Sequence, residues 1–166
     1  MGHGETRTLG TVVFTDIVGS TELAASLGDE RWKTLLAEHD ALAKREIGRF
    51  GGRYLKSTGD GLLALFDGPA RATLCASAFV AGVRDLGLEI RAGVHTGEVE
   101  HVGSDIQGLT VHIGSRVSAL AGPSEVLVSQ TVKDLTAGAN LTWEDAGERE
   151  LKGVPDRWHL YRVLPT

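Results

Sequence analysis

The chain reads RYLKSTGDGLLALF from residue 53 to residue 66, and the interpretation of its neighbours starts from this stretch. Two short strand-like runs flank Thr58-Gly59-Asp60-Gly61, which combines an Asp-Gly pair with a second glycine. Such a cluster between strand-like runs is a strong sign of a tight turn. The stretch therefore predicts a β-hairpin with strands at 53–57 and 62–66.

Helical patterns lie on both sides of this hairpin. Before it, apolar residues recur at helical spacing from Asp29, a candidate N-cap, until Gly51-Gly52 ends the pattern. After it, a second helix is predicted from about Pro69 to Leu86, because apolar residues repeat on one face and proline suits a first helical turn. The hairpin thus stands between two long helices.

Strand-like segments begin and end the chain. The first strand is predicted at 11–16, and a later segment, 89–101, has the pattern of a strand or hairpin. A third helix is predicted from about 108 to 120. Three further strands are predicted at 125–128, 141–143 and 158–163. The order strand, helix, hairpin, helix, strand predicts an α+β fold, a ferredoxin-like antiparallel sheet with helices packed on one face.

Composition excludes several classes of protein. A chain of 166 residues suits one domain, expected at 8–166 after a disordered lead-in at 1–7. The net charge of −5 and the lack of a basic run argue against a nucleic-acid partner. The longest uncharged apolar run, 72–83, is too short to span a membrane. The single cysteine, Cys75, favours a reducing compartment, and we expect a cytoplasmic protein.

Two aspartates are placed where they can meet. Asp16 ends the first predicted strand and Asp60 lies at the tip of the hairpin, so both carboxylates can converge at one end of an antiparallel sheet. Mg²⁺ is commonly held by one or two carboxylates together with substrate phosphates and water. The alternative is structural, with Asp16 capping a helix and Asp60 forming a turn.

Two other features are compatible with phosphate chemistry. Residues 17–21 form a strand-to-helix turn whose free N–H groups can contact phosphate oxygens, although such turns are common. On the third helix, His112 and Arg116 are four positions apart and share a face. Arginine suits a developing phosphate charge, but an arginine on a helix is more often a solvated surface residue.

Four motifs in order identify a family resemblance. They are FTDIVGST at 14–21, LKSTGDG at 55–61, GVHTG at 93–97, and DIQG followed by VHIGSR within 105–116. Together they resemble the class III adenylate and guanylate cyclases, over about residues 8 to 163. Each motif coincides with the end of a predicted element, so the combination is far more specific than any one of them.

The resemblance implies a catalytic site built on the two aspartates. Asp16 and Asp60 match the family's metal ligands, with the Ile17 carbonyl assisting, and two Mg²⁺ or Mn²⁺ ions are expected per site. Val18, Gly19, Ser20 and Thr21 match the turn that contacts the phosphates. Arg116 matches the arginine that stabilises charge on the α-phosphate.

The resemblance also implies the substrate. Lys56 and Asp105 match the pair that reads the base in adenylate cyclases, and Lys152 resembles a late lysine that contacts the β- and γ-phosphates. Chemistry supports the first match, because an obligate donor and an obligate acceptor fit adenine N1 and N6, whereas guanine offers the reverse pattern. We therefore expect an adenylate cyclase that converts ATP to 3′,5′-cyclic AMP and pyrophosphate.

One position departs from the family. His112 stands where many members have an asparagine that orients the ribose, and imidazole differs from an amide in shape and in taking up a proton near neutral pH. We expect His112 to take the catalytic place of that asparagine in a weaker or more pH-sensitive enzyme. In the family each site is shared by two chains, so a homodimer is expected. The alternatives are a nucleotide-binding module with little turnover, a guanylate cyclase and, more remotely, a diguanylate cyclase or polymerase-like palm domain.

Overall fold

A computed structural model describes residues 6–165, which form eight strands and five helices. The strands are β1 Arg7–Ile17, β2 Arg53–Ser57, β3 Gly61–Phe66, β4 Ile90–Val102, β5 Asp105–Gln107, β6 Val126–Ser129, β7 Thr142–Glu150 and β8 Arg157–Leu164. The helices are α1 Ser20–Leu27, α2 Asp29–Arg49, α3 Pro69–Arg84, α4 Leu109–Leu120 and α5 Gln130–Leu135.

The first four strands confirm the predicted α+β class and ferredoxin-like arrangement. They lie in the order β2-β3-β1-β4, and each neighbouring pair is antiparallel. The sheet then continues through β6, β8 and β7. The sheet departs from the predicted antiparallel pattern at one position, since β6 pairs parallel to β4. The chain reaches β6 through α4, and such a crossover can return a strand in the same direction as its neighbour.

The helices cover both faces of the sheet, so the prediction that they occupy one face is wrong. Val13 and Ile17 of β1 belong to the large core cluster that contains residues of α2 and α3. On the opposite face, α4 crosses β1 and β4 at very short range. A side chain on Gly114 would place its Cβ 2.6 Å from Val12, and one on Gly93 would reach the Ser118 backbone at 2.3 Å. The glycines therefore permit α4 to pack directly on the sheet.

Several boundaries differ from the sequence pattern. Helices α1 and α5 were not predicted, because both are short. Asp29 is the first residue of α2, and Gly28 occupies the N-cap. Strand β7 is much longer than the predicted 141–143. It is an edge strand whose mostly polar residues can face water, so it lacks the apolar pattern from which a strand is predicted. Strand β1 begins at Arg7, within the expected lead-in, and residues 1–5 lie outside the described part of the chain.

Residues 97–107 comprise the last part of β4 and all of β5, and they form a hairpin that we call the β4–β5 arm. It folds over the α4 face, because Ile106 of β5 packs in one cluster with Leu63 and Leu65 of β3. Gly10 and Gly97 oppose each other across β1 and β4 at its base. A Cβ on Gly10 would lie 2.9 Å from Leu65, so glycine allows the strands to approach at the bend.

Two further findings concern the whole chain. Within residues 6–165, the helices lack the combination of length and apolar character that crossing a bilayer requires. Cys75 lies on the buried face of α3, where burial raises the pKa of its thiol to about 12. A thiol that is buried in apolar surroundings and has a raised pKa is a poor nucleophile.

His95 gives the fold a predictable response to acid. It is 5% exposed, its Nδ1 shares a hydrogen bond of 2.7 Å with the Ser129 hydroxyl, and burial lowers its pKa from 6.5 to about 4. Between these values the unfolded chain binds more protons than the folded one. We therefore expect the free energy of unfolding to fall as the pH drops from about 6.5 to about 4, by up to about 1.4 kcal/mol per pH unit from this group.

Denaturant titrations of wild type and His95→Gln across this pH range measure the effect. The variant loses packing against Trp158 and is expected to be less stable at pH 7, but its stability should depend less on pH. Parallel pH profiles for the two proteins would show that His95 is not the group responsible.

Candidate active site

The sheet register brings the two predicted aspartates together. Asp16 lies near the end of β1, opposite Gly61 on one side and opposite Arg91 on the other. Asp60 immediately precedes Gly61, and its carbonyl accepts a hydrogen bond of 3.2 Å from the Ile17 amide. A Cβ on Gly61 would lie only 1.9 Å from the Thr15 carbonyl oxygen. Glycine at 61 therefore allows the turn that carries Asp60 to close against the end of β1.

The carboxylates of Asp16 and Asp60 are hydrogen-bond neighbours. Burial and then the proximity of Asp60 raise the pKa of Asp16, although Arg91 opposes both effects. Burial would also raise the pKa of Asp60, but hydrogen bonds from Asp16 and from the Ser20 hydroxyl lower it overall. A proton on this pair is therefore held mainly by Asp16. Two crowded acidic groups form a site that gains stability when a cation binds.

An open cleft of about 440 Å³ contains both aspartates. Its walls come from the end of β1, the hairpin turn, the start of β4 and the last turns of α4. The lining residues are Phe14, Thr15, Asp16, Thr58, Asp60, Arg91, Ser115, Ser118 and Ala119. Carboxylate oxygens next to open space suit Mg²⁺ or Mn²⁺, which complete their coordination with phosphate oxygens and water. The residues present therefore fit a divalent metal centre.

The turn from Ile17 to Thr21 is only partly available to a ligand. The Val18 amide already donates a hydrogen bond of 2.9 Å to the Glu89 carbonyl, and the Ser20 hydroxyl donates to Asp60. Gly19 adopts φ 65°, a left-handed conformation that favours glycine, and α1 begins at the next residue. The N–H groups of the first turn of α1 have no partner within that helix. These amides, beside the aspartates, are the part of the turn that can contact phosphate.

Lys56 and Asp105 meet although they are 49 positions apart in sequence. The Lys56 Nζ donates a hydrogen bond of 2.8 Å to Asp105 Oδ2, because the β4–β5 arm folds over the sheet toward β2. This hydrogen bond, followed by one from the Ile106 amide, lowers the pKa of Asp105. Both side chains are partly exposed, so the pair can exchange its internal contact for a ligand.

Helix α4 carries His112 and Arg116 one turn apart, as predicted. The two residues differ in their surroundings. His112 Nε2 lies 3.0 Å from the carbonyl oxygen of Lys152, in the loop between β7 and β8. Arg116 is half-buried, and its Nε is buried with no hydrogen-bond partner among the described residues. The Lys152 side chain is exposed.

The cleft and the other predicted residues are separate within one chain. For the described part of the chain, the residues that line the cleft do not include Lys56, Asp105, Arg116 or Lys152. The structure therefore joins Asp16 with Asp60, Lys56 with Asp105, and His112 with the Lys152 loop. It does not bring these three groups into one pocket of the isolated chain.

Arg91 is a site residue that sequence reasoning missed. Its Nη2 donates a hydrogen bond of 3.1 Å to Asp16 Oδ2, and its Nη1 lies 3.4 Å from the carbonyl oxygen of Ala119 near the end of α4. The guanidinium thus links the strand that carries Asp16 to the helix that carries Arg116. A charged residue within the apolar first part of β4, residues 90–94, was the available clue, but only the register places it opposite Asp16.

These features define an α+β domain with two neighbouring aspartates in an open cleft, and sequence comparison gives its family. Residues 5–164 match the model of the adenylate and guanylate cyclase catalytic domain. The chain belongs to this family, the class III nucleotidyl cyclases.

Individual relatives agree with this assignment. A pH-sensitive adenylate cyclase of Mycobacterium tuberculosis is 30% identical over 159 residues, which cover 92% of this chain. An adenylate cyclase of Streptomyces coelicolor is 29% identical over 70% of the chain. The chain spans 40% of the length of the first relative and 31% of the second.

Solved structures share the fold. The adenylyl cyclase CyaB of Pseudomonas aeruginosa superposes with a TM-score of 0.89 at 25% identity, covering 96% of this chain and 95% of that one. The guanylate cyclase domain of RhGC from Catenaria anguillulae, in complex with GTP, has a TM-score of 0.85 at 19% identity, covering 94% and 96%. The fold is therefore common to cyclases of both nucleotide types.

Proposed function

We propose that this domain is an adenylate cyclase, which converts ATP to 3′,5′-cyclic AMP and pyrophosphate. The observation that supports it best is the juxtaposition of Asp16 and Asp60 in an open cleft, on the same chain that presents the Lys56–Asp105 pair. The reaction joins the ribose 3′-oxygen to the α-phosphorus, and pyrophosphate leaves in line. The 3′-hydroxyl loses a proton, and the leaving phosphates gain negative charge.

Asp16, Asp60 and the Ile17 carbonyl would hold two Mg²⁺ or Mn²⁺ ions, which lower the cost of deprotonating the 3′-hydroxyl and neutralise charge on the triphosphate. The chain's own residues do the rest of the binding. The first-turn amides of α1 lie beside the aspartates and can donate hydrogen bonds to phosphate oxygens. Arg91 adds a positive charge in the same cleft. Arg116 would stabilise the α-phosphate as its charge grows, and Lys152 would contact the β- and γ-phosphates.

The base would be read by the Lys56–Asp105 pair. The Lys56 ammonium donates to adenine N1, and the Asp105 carboxylate accepts from the exocyclic amine at N6. Guanine presents a donor at N1 and an acceptor at O6. The Lys56 donor would then meet the N1 donor, and the Asp105 acceptor would meet the O6 acceptor. The ammonium and the carboxylate pair with each other in the absence of a base, which holds both groups close to where the base would bind.

A homodimer would complete the site. The cleft of one chain contains the aspartates, whereas Lys56, Asp105 and Arg116 of the same chain lie outside its lining. A second copy can supply these residues across a two-fold axis, which generates two equivalent sites. Exposed apolar residues on or beside the β4–β5 arm, which such an interface would cover, are Leu9, Val102 and Leu109.

The nucleotide product tests the proposal directly. Purified protein is incubated with ATP or GTP in the presence of Mn²⁺ or Mg²⁺, and the product is identified by mass spectrometry. Cyclic AMP from ATP, with little cyclic GMP from GTP, is expected. Predominant formation of cyclic GMP would make the protein a guanylate cyclase. Binding of nucleotide without a cyclic product would make it a binding module.

The selectivity for ATP over GTP should depend on the Lys56–Asp105 pair. Asp105→Asn replaces an obligate acceptor with an amide that can turn either its oxygen or its NH₂ group toward the base. We expect the ratio of kcat/KM for ATP to that for GTP to fall about tenfold or more, since a good paired contact to a base discriminates by about 1–3 kcal/mol. Steady-state kinetics with both nucleotides measure this ratio.

Glu148→Gln is the matched control for that experiment. Glu148 pairs with Arg157 at 3.6 Å on the β7–β8 hairpin, and both side chains are exposed, as in the Lys56–Asp105 pair. This variant should leave the selectivity unchanged. Equal losses of activity with ATP and GTP in Asp105→Asn would contradict a role of Asp105 in reading the base.

A further inference from the structure

His112 makes a contact that its position in the family motif does not explain. Its Nε2 lies 3.0 Å from the carbonyl oxygen of Lys152, so the ring nitrogen donates and the proton resides on Nε2. The bond spans 40 positions of sequence and joins α4 to the loop between β7 and β8. A backbone carbonyl, rather than a side chain, is held, so the bond fixes where the loop lies and leaves the Lys152 side chain free.

The loop is anchored on both sides of this bond. Leu151 is 3% exposed and belongs to a core cluster with Ile113 and Val117 of α4. Further along, Trp158 Nε1 donates a hydrogen bond of 3.1 Å to the Pro155 carbonyl. Between these anchors Val154 packs against the same cluster, and its amide donates a hydrogen bond of 2.9 Å to the Leu151 carbonyl. Residue 152 itself is tied to α4 by the contact from His112.

Gly153 is fitted to the imidazole. It adopts φ 80°, a left-handed conformation that strains other residues, and a Cβ at this position would lie 2.9 Å from His112 Nε2. The glycine therefore provides both the turn and the space in which the ring reaches the neighbouring carbonyl. A histidine on α4 and a glycine in the loop form one complementary contact.

We propose that His112 is a positioning residue, which fixes the loop carrying Lys152 relative to the helix carrying Arg116. This inference rests on the proposed function, in which both cations contact the triphosphate. One hydrogen bond then sets the spacing between two phosphate-binding groups. Asparagine, which many family members have at this position, is shorter than histidine and does not span the same gap. The contact is therefore specific to the histidine and replaces direct contact with the ribose as the role of residue 112.

Two substitutions separate these roles. His112→Leu removes the hydrogen bond, whereas His112→Gln keeps a donor of similar reach and is expected to restore it. In His112→Leu we expect the KM for ATP and the inhibition constant of inorganic pyrophosphate to rise about three- to tenfold, the factor that one hydrogen bond supplies, with a smaller change in kcat. His112→Gln should lie close to wild type in both. His159→Leu, which removes another hydrogen-bonded histidine from the β7–β8 hairpin, serves as the control.

A double variant tests whether the two residues act as one unit. In a Lys152→Ala background, His112→Leu should have little further effect on pyrophosphate inhibition, because the cation that it positions is gone. If His112→Leu instead lowers kcat, leaves pyrophosphate inhibition unchanged and adds fully to Lys152→Ala, the proposal is overturned.

A structural readout keeps the proposal testable if no cyclase activity is found. Hydrogen exchange measured by mass spectrometry should be faster at residues 151–156 in His112→Leu than in wild type, and near wild type in His112→Gln. Gly153→Ala should lose more stability in wild type than in His112→Ala, where the clash with the ring is absent. Unchanged exchange and equal costs of Gly153→Ala in both backgrounds would disprove the contact, whatever the protein catalyses.

Discussion

Replacing Asp16 with asparagine is expected to reduce kcat/KM for cyclisation of ATP by at least about a hundredfold. Asparagine keeps the shape of the side chain but removes the negative charge. Asp60 is then the one carboxylate of the pair left to bind the metal ions. The transition state loses several kcal/mol of metal-dependent stabilisation, which corresponds to this factor. Initial rates of product formation over a range of ATP concentrations, repeated at several Mn²⁺ concentrations, measure the change.

The electrostatics of the cleft explain why Asp16 matters so much. Burial and the neighbouring Asp60 raise its pKa, so the metal-free protein holds two carboxyl groups in an environment that disfavours two charges. Arg91 relieves part of this repulsion from one side. A divalent ion relieves far more, and the free energy gained supports metal binding. In Asp16→Asn this repulsion is already absent, so the binding of a metal ion gains less free energy.

Thermal unfolding provides a second measurement that does not need turnover. Mn²⁺ should raise the melting temperature of wild type, because it binds the folded state, and should raise that of Asp16→Asn much less. Asp67→Asn is the matched control, since Asp67 is exposed and follows β3 at the end opposite Asp60. It should behave as wild type in both measurements. Full activity in Asp16→Asn, or an equal metal-induced shift, would remove Asp16 from the metal site.

The fold was predictable where local patterns determine the structure. The Thr58–Gly61 turn signal correctly gave the hairpin, and the alternation of strands and helices around it gave the ferredoxin-like core. The face on which α4 packs was not predictable in the same way. It depends on Gly93 and Gly114, whose lack of a side chain matters only once the helix and sheet are in contact. The parallel pairing of β6 with β4 is likewise a property of the tertiary connection.

The candidate site was predictable to a similar degree. Element ends placed Asp16 and Asp60 together, because an antiparallel sheet brings the end of β1 to the β2–β3 turn. The meeting of Lys56 with Asp105 depends on the bend of the β4–β5 arm, which has no local sequence signature. Arg91 was missed because a cross-strand neighbour follows from register alone. The partner of His112 lies 40 positions away, and no periodicity predicts such a contact.

Mixing two inactive variants is expected to restore activity if the site is shared. Asp16→Ala removes a metal ligand and Arg116→Ala removes the phosphate-binding arginine, so each homodimer alone should be almost inactive. In a mixed dimer, one site combines the intact aspartates of one chain with the intact arginine of the other, while the second site has both defects. Co-expressed chains with different tags, purified in tandem, should therefore show about half of wild-type activity.

The control pair distinguishes sharing from a general rescue by dimerisation. Asp16→Ala and Asp60→Ala affect the same half of the site, so a mixed dimer of these two has one defect in each site and should stay inactive. The cleft of one chain holds both aspartates and does not include Arg116 in its lining, which is why recovery is expected only in the first mixture. If the first mixture stays inactive although the dimers are properly mixed, each site is contained in one chain. Arg116 would then have to reach its own aspartates by a movement of α4, and the Arg91 bridge to Ala119 would be the contact that such a movement breaks.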